Sequence, residues 1–142
     1  MTETSRTPDR ASLPDRIEAA VEELVYSSEG DAPFMLVHWI GAGHDGVPDA
    51  GTIAQLAGAS EGELVEERSL EEFLARHTER SDAYDTRAQA IRPRYEALEA
   101  LLRTEVRDAR FVRVGRQTVR CLVVGRDDAG DLVGVETVAV ET

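Results

Sequence analysis

The chain has 142 residues, of which 42% are hydrophobic and 31% charged, and its formal net charge at pH 7 is −12. This balance is typical of one soluble globular domain, and the negative charge disfavours nucleic acid as a partner because phosphate backbones bind cationic surfaces. All 16 basic residues are Arg, which excludes chemistry that requires a lysine, such as a P-loop or a Schiff base.

The sequence gives no sign of membrane insertion or secretion. It has no apolar run near the length of about eighteen residues that a spanning helix needs, and no basic segment followed by an apolar stretch at its start. We therefore expect a cytoplasmic protein with no membrane partner. Residues 1–12 are small, polar and without periodicity, which predicts a disordered leader ahead of one domain over residues 13–142.

The acidic residues are concentrated in the middle of the chain. Residues 13–85 contain seventeen Asp or Glu and four Arg, whereas residues 86–142 contain nine acids and ten Arg. Such a field attracts a protein whose own surface is built to hold phosphates. The alternative, which the charge alone leaves open, is that the acids serve only solubility.

The first half of the chain predicts a helix followed by a strand. The helix begins at Pro14 and is expected to continue to about residue 26, with turn residues and a possible left-handed cap at Gly30 after it. Its apolar stripe has helical spacing and consists of Ile17, Ala20, Val21, Leu24 and Val25. Residues 34–40 form an almost continuous apolar run, which predicts a central strand buried on both faces.

The next elements are shorter, apart from one long helix. We predict a weak helix near residues 49–57, an edge strand at residues 63–67, and a helix that opens with a capping box between Ser69 and Glu72. A longer helix follows, in which Pro93 should mark either a kink or the true start. The stripe of this helix is Ile91, Tyr95, Leu98, Leu102 and Val106.

The last third of the chain is predicted to be an antiparallel meander. Three runs rich in β-branched residues, 111–114, 118–124 and 132–140, are separated by glycine-containing turns. Cys121 lies inside this pattern and should be a buried small hydrophobic residue. The complete order predicts an α+β fold: a single-domain α/β/α sandwich with about five mostly antiparallel strands and a C-terminal β meander.

No arrangement of side chains in the sequence argues for an enzyme. His38, His44 and His77 have no spacing that would assemble a zinc site, and no nucleophile has a positioned base. We therefore expect no catalytic residue, no bound metal and no cofactor. A small hydrolase that uses His44 and Asp45 with a metal remains an alternative.

The end of the last strand is a candidate for function. Apolar residues continue almost to Thr142, which indicates that a sheet holds the end of the chain. As the last residue, Thr142 would offer a hydroxyl group and a carboxylate, and Glu141 adds a second carboxylate. These are hard oxygen donors of the kind that magnesium and calcium prefer.

The chain resembles the nuclease A inhibitor family, small proteins that block a sugar-non-specific, magnesium-dependent nuclease. Its matching stretches are residues 24–34 with Trp39, residues 70–73 and 82–84, and residues 111–115, 123–125, 129–135 and 140–142. The resemblance implies a monomer that inserts into the cleft of the nuclease. No single motif carries it; the order of the three stretches does.

The family also implies which residues meet the partner. Thr142 would offer its oxygens to the magnesium of the nuclease, Glu29 would approach the same centre, and Asp82 and Tyr84 would lie at the interface. Where the family pattern has an aromatic residue between these two, this chain has Ala83. We thus predict that Glu29, Asp82, Tyr84, Glu141 and Thr142 form a partner-binding site. The alternative is an acidic binding module of the same fold that acts on an unrelated basic partner.

Overall fold

The computed structural model describes residues 12–27, 30–44, 49–78 and 86–141. Of the predicted leader, residues 1–12, all but Ser12 lie outside these ranges. The elements follow one another as α1 (Leu13–Val21), β1 (Val25–Ser27), β2 (Asp31–Pro33), β3 (Met35–Trp39), α2 (Ala50–Leu56), β4 (Val65–Arg68), α3 (Leu70–Thr78), α4 (Thr86–Thr104), β5 (Arg107–Val114), β6 (Thr118–Arg126) and β7 (Leu132–Val140). None of the helices in the described part of the chain combines the length and apolarity needed to cross a membrane.

The main sheet has five strands in the order β3-β7-β6-β5-β4, and every neighbouring pair is antiparallel. The predicted meander is confirmed as β5, β6 and β7, which occupy three adjacent positions. The predicted edge strand is confirmed as β4. The α+β fold class is therefore confirmed, with β1 and β2 forming a separate two-stranded hairpin.

The sheet is covered by helices on both faces. One hydrophobic cluster joins α1, α3 and α4 to the first face, and a second cluster joins α2 to the other face. Strand β6 contributes to both, because Val119, Cys121 and Val123 point to the first face while Leu122 and Val124 point to the second. Cys121 is buried, as predicted. Each such fully buried aliphatic side chain contributes about 1.5–3 kcal/mol to folding.

The prediction that residues 34–40 form a central strand was wrong. Strand β3 lies at an edge of the sheet, and β6 lies at the centre. The apolar run arises because Leu36 packs on one cluster and Val37 on the other. Both faces of β3 are therefore covered, although β3 pairs with β7 on one side only. Met35 and Ile40, near the two ends of the run, are 58% and 82% exposed. An apolar run of this kind indicates that both faces of the strand are covered, and it does not indicate where the strand lies in the sheet.

The first helix is shorter than predicted. Helix α1 begins after Ser12, whose hydroxyl oxygen accepts from the backbone N–H of Asp15 at 3.2 Å, and it ends at Val21. Arg94 of α4 donates to the carbonyl oxygens of Ala20 and Glu22, which satisfies groups that a helix end leaves unpaired. Glu23 then adopts a positive φ of 62° and turns the chain into the hairpin. Val25 is therefore in β1 instead of the helix, and Gly30 does not cap it.

The other helices agree with their sequence signals. The Asp49 carboxylate accepts from the N–H of Thr52 at 2.8 Å at the start of α2, and the Ser69 hydroxyl accepts from the N–H of Glu72 at 3.1 Å at the start of α3. Helix α4 begins at Thr86, so Pro93 lies inside it and does not mark its start. The predicted stripe of α4 faces the core, where Leu98 and Leu102 are completely buried.

Candidate partner-binding site

The five predicted site residues fall unequally within the structure. Glu141 lies at the end of β7, where the chain is described. Glu29, Asp82, Tyr84 and Thr142 lie outside the described residues. Their roles stay predictions, and the structure describes the elements that precede and follow them in the chain.

The end of β7 is held by backbone and side-chain contacts. Pairing with β6 continues to Val140, and the N–H of Glu141 then donates to the carbonyl oxygen of Gln117 at 2.8 Å. The Arg113 guanidinium donates to the Glu141 carboxylate at 2.5 Å and lies 4.0 Å from that of Glu66. The Arg113 side chain is only 14% exposed. We name this end of the sheet the tail end, and the expectation that a sheet holds the last strand is confirmed as far as Glu141.

The β1–β2 hairpin lies against the tail end. The position of a Cβ atom on Gly30, next to the turn of the hairpin, would be 3.6 Å from Cγ2 of Val140. Closer to the base of the hairpin, the Thr137 hydroxyl donates to the carbonyl oxygen of Pro33 at 2.9 Å, and Thr137 is 2% exposed. Gly30, which follows Glu29 in sequence, therefore lies against Val140, two residues before Thr142.

An aromatic cluster fixes the hairpin on two helices. Tyr26 stacks on Phe73 of α3 with ring centroids 5.3 Å apart, and Phe34 meets Tyr95 of α4 edge to face at 6.1 Å. Phe111 of β5 contacts Phe73 at 5.0 Å. Aromatic pairs of this geometry contribute about 0.5–1.5 kcal/mol beyond the area they bury. The hairpin, the sheet and the two helices that flank the segment with Asp82 and Tyr84 thus share one core.

The opposite end of the sheet, where β6 turns into β7, has a different arrangement. We name it the loop end. His38 Nε2 lies 2.7 Å from one Asp131 carboxylate oxygen, and the N–H of Gly41 donates to the other at 2.8 Å. The Asp127 carboxylate accepts from the N–H groups of Ala129 and Asp131, both at 2.9 Å. These bonds fasten the β6–β7 turn to the end of β3.

The hydrogen bond from Gly41, followed by that with His38, lowers the pKa of the Asp131 carboxyl. The carboxylate is therefore the form that the fold stabilises. Donor atoms of His38, Asp127 and Asp131 lie within 4.8 Å of one another, a grouping that sequence spacing did not indicate. Both Asp131 oxygens and one Asp127 oxygen already accept hydrogen bonds. The hydrogen bonds that hold the β6–β7 turn therefore account for the geometry of this grouping.

The other histidines do not join this grouping. The ring of His44 lies against Gly130, where a Cβ atom would be 2.5 Å from Cε1 of the imidazole. Asp45, the second residue of the hydrolase alternative, and the side chain of His77 lie outside the described part. Among the described residues, the group of three acids and histidines close enough to share a metal ion contains His38 and does not contain His44.

Comparison with known proteins agrees with the resemblance found in the sequence. A search of the curated proteins gave no match. A family model described as nuclease A inhibitor-like protein matches residues 11–142, which is nearly the whole chain. The chain therefore belongs to the family of nuclease A inhibitor-like proteins.

Proposed function

We propose that the protein is a stoichiometric inhibitor of a non-specific, magnesium-dependent endonuclease and that its tail end and acidic loops fill the active-site cleft. It acts by binding and carries out no reaction of its own. The residues that meet the nuclease are Glu29, Asp82, Tyr84 and Thr142, with Glu141 beside them.

The observation that carries this proposal is the contact between the hairpin and the tail end. Glu29 immediately precedes Gly30 in the chain, and Thr142 comes two residues after Val140. Gly30 and Val140 are packed together. Because consecutive Cα atoms are about 3.8 Å apart, this contact supports a single acidic projection formed by Glu29 and Thr142.

Glu141 has a supporting role in this mechanism. One of its carboxylate oxygens accepts from Arg113 at 2.5 Å, and its N–H continues the ladder to Gln117. We infer that Glu141 acts mainly by orienting the residue after it. A segment held in its bound conformation loses less conformational entropy on association, which raises affinity without adding a contact.

The chemistry of inhibition follows from charge. A nuclease cleft provides cationic side chains and a metal ion for the developing charge on a phosphodiester. Carboxylates satisfy the same groups and have no scissile bond, so substrate is excluded. Two opposite charges about 4 Å apart near a protein surface attract by roughly 4 kcal/mol before desolvation is counted. The excess of acids over Arg in residues 13–85 would in addition speed the encounter with a basic cleft.

The proposal is tested by titrating a non-specific magnesium nuclease with the intact protein, a variant lacking Thr142 and a variant extended by several residues after Thr142. Complete inhibition at one equivalent is expected for the intact protein. Both changes at the end of the chain should raise the inhibition constant by about a hundredfold, as expected for loss of an interface hot spot of about 2–3 kcal/mol.

A matched control is Asp128→Asn, which removes one exposed carboxylate in the β6–β7 turn at the loop end, opposite the tail end. It should inhibit as the intact protein does. Equal potency of the intact, shortened and extended forms would exclude the terminal mechanism. No inhibition by any form, together with recovery of a different basic protein from the source lysate, would favour the acidic binding module.

A further inference from the structure

The two edges of the sheet differ in how they are protected. Edge strands present unpaired backbone groups, and proteins usually block them with charged residues. Strand β4 follows this rule, since it contains Glu66, Glu67 and Arg68. Strand β3 contains no Asp, Glu or Arg, and its ionisable residue, His38, is bonded to Asp131. Within the described chain β3 pairs only with β7, so its outer edge is left apolar and unblocked.

An acidic groove runs beside this edge. It lies between α1 and the start of β3 and has a volume of about 750 Å³. Its lining includes four exposed acids: Asp15 and Glu18 of α1, and Glu22 and Glu23 directly after it. Arg16, the basic residue of α1, is paired with Glu105 at 3.3 Å and does not line the groove.

The floor of the groove is apolar. Met35 and Leu36 line it, and Met35 is 58% exposed. Leu36 also packs against the cluster under α1. An extended segment that lies on this floor would reach the β3 backbone and the acids of α1 together.

We propose that the groove between α1 and β3 is a second binding surface, which takes an extended basic segment of a partner protein as an added strand beside β3. Backbone hydrogen bonds along the edge provide affinity, and alternate Arg or Lys side chains of the segment face the four groove carboxylates. This surface is independent of the inhibition proposed above, since changes at the tail end leave it intact.

Charge decides between this occupant and a second copy of the chain. Edge-to-edge pairing of two copies through β3 would bring eight groove carboxylates, four from each copy, to one seam. Like charges placed opposite each other disfavour association. A segment with Arg or Lys at alternate positions turns the same carboxylates into attractive partners.

The test is an NMR titration of the full-length, ¹⁵N-labelled protein with a peptide of about seven alternating Arg and Val residues, a length that matches a typical strand. Shifts confined to amides of α1 and β3 are expected. The Glu18→Arg/Glu22→Arg variant should bind about tenfold more weakly, which is what two surface charge pairs of up to about 1 kcal/mol each allow.

The matched control is Glu61→Arg/Glu96→Arg, which makes the same change in net charge at two exposed positions outside the groove. It should bind the peptide within about twofold of the unaltered protein. Absence of shifts, shifts centred on β4, or equal weakening by both double variants would overturn the proposal. A dimer detected by sedimentation and dissolved by Met35→Arg would overturn it as well, because a second copy would then occupy the edge.

Discussion

At the loop end of the sheet, the Asp131 carboxylate accepts from Gly41 and contacts His38, whereas at the tail end Arg113 donates to Glu141. Both ends thus use a charged side chain to fasten neighbouring backbone segments. At the loop end, both oxygens of the central acid have partners within the protein. At the tail end the fastening group is a cation, and the acids it serves, Glu141 and Glu66, remain 38% exposed.

The ends of the sheet therefore differ in how far their acids are exposed, since the side chain of Asp131 is only 14% exposed. An acid whose oxygens are already bonded has little left to offer a ligand. Arg113, whose side chain is 14% exposed, bonds one carboxylate oxygen of Glu141, and the acid itself stays partly exposed. Four substitutions test this difference between the two ends.

The largest effect is expected at Gly134, the third residue of β7. A Cβ atom there would be 1.7 Å from the carbonyl oxygen of Val123 and 3.0 Å from Cα of Val124. Because these are backbone atoms of the central strand, Gly134→Ala should lower the free energy of unfolding by about 3 kcal/mol. Urea unfolding measures this loss, and both ends should loosen together.

The control for this change is Gly51→Ala in α2, where a Cβ atom would meet only Asp49 Oδ1 at 3.6 Å. Alanine is the better helix former, so a gain of about 0.5 kcal/mol is expected. If Gly134→Ala is tolerated as well as Gly51→Ala, the close approach of β6 and β7 does not constrain the fold.

The second effect separates the tail end from the rest of the sheet. Arg113→Ala leaves Glu141 and Glu66 without their cation, and it should cost about 1–2 kcal/mol in unfolding free energy, below the value for fully buried pairs because both acids are partly solvated. If the proposed inhibition is correct, the inhibition constant should rise by about tenfold. Arg113→Lys should recover part of both losses.

Arg110→Ala is the control on the same strand. Arg110 also pairs with a glutamate of β4, Glu67 at 2.9 Å, but it lies on the face of α2 and is 37% exposed. Its loss should cost less than about 0.5 kcal/mol and leave inhibition unchanged. Equal effects of the two substitutions on inhibition would show that Arg113 has no special part in orienting the tail end.

The third effect tests how the hairpin is joined to β7. Thr137→Val removes the donor to the carbonyl oxygen of Pro33 and should lower the free energy of unfolding by about 1 kcal/mol. Amide exchange in β1 and β2 should become faster. Thr118→Val, at an exposed position of β6, is the control and should change neither measurement by more than experimental scatter.

The smallest effect is a pH dependence at the loop end. The folded state lowers the pKa of Asp131 below its ordinary value of 3.8, so the stabilisation is fully present only well above that value and is lost as the pH falls through the folded-state pKa. Asp131→Asn should therefore be less stable than the unaltered protein at pH 7, and the difference should shrink by pH 2. A difference that stays constant over this interval would show that the carboxylate charge is irrelevant there.

Several parts of the fold were predictable because their signals are local. The β5–β6–β7 meander follows from β-branched runs with glycine turns between them, and the starts of α2 and α3 follow from Asp49 and Ser69. The family was recognised from short stretches distributed along the chain. These signals need no knowledge of which residues meet in space.

The remaining features depend on contacts between distant parts of the chain. Helix α1 ends at Val21 because Arg94 reaches it from α4, and no residue near Val21 reveals this. In the same way, the partners Arg113 and Glu141 lie on different strands, and His38 meets Asp131 across the sheet. From the sequence, these side chains are expected to be ordinary surface charges or a buried histidine, because the pairing of the strands is not known. Glu29 gained its importance from the resemblance alone, whereas Thr142 was also indicated by its position after the last strand.

The contact of Arg94 with the end of α1 has a dynamic consequence. One guanidinium on α4 holds the last carbonyl groups of α1 just before the chain enters the hairpin. Local opening of α4 would therefore release both the helix end and the base of the hairpin. Native-state hydrogen exchange should report these three segments as one cooperative unit. The rigidity of the hairpin, which is proposed to enter the nuclease, therefore depends on the stability of α4.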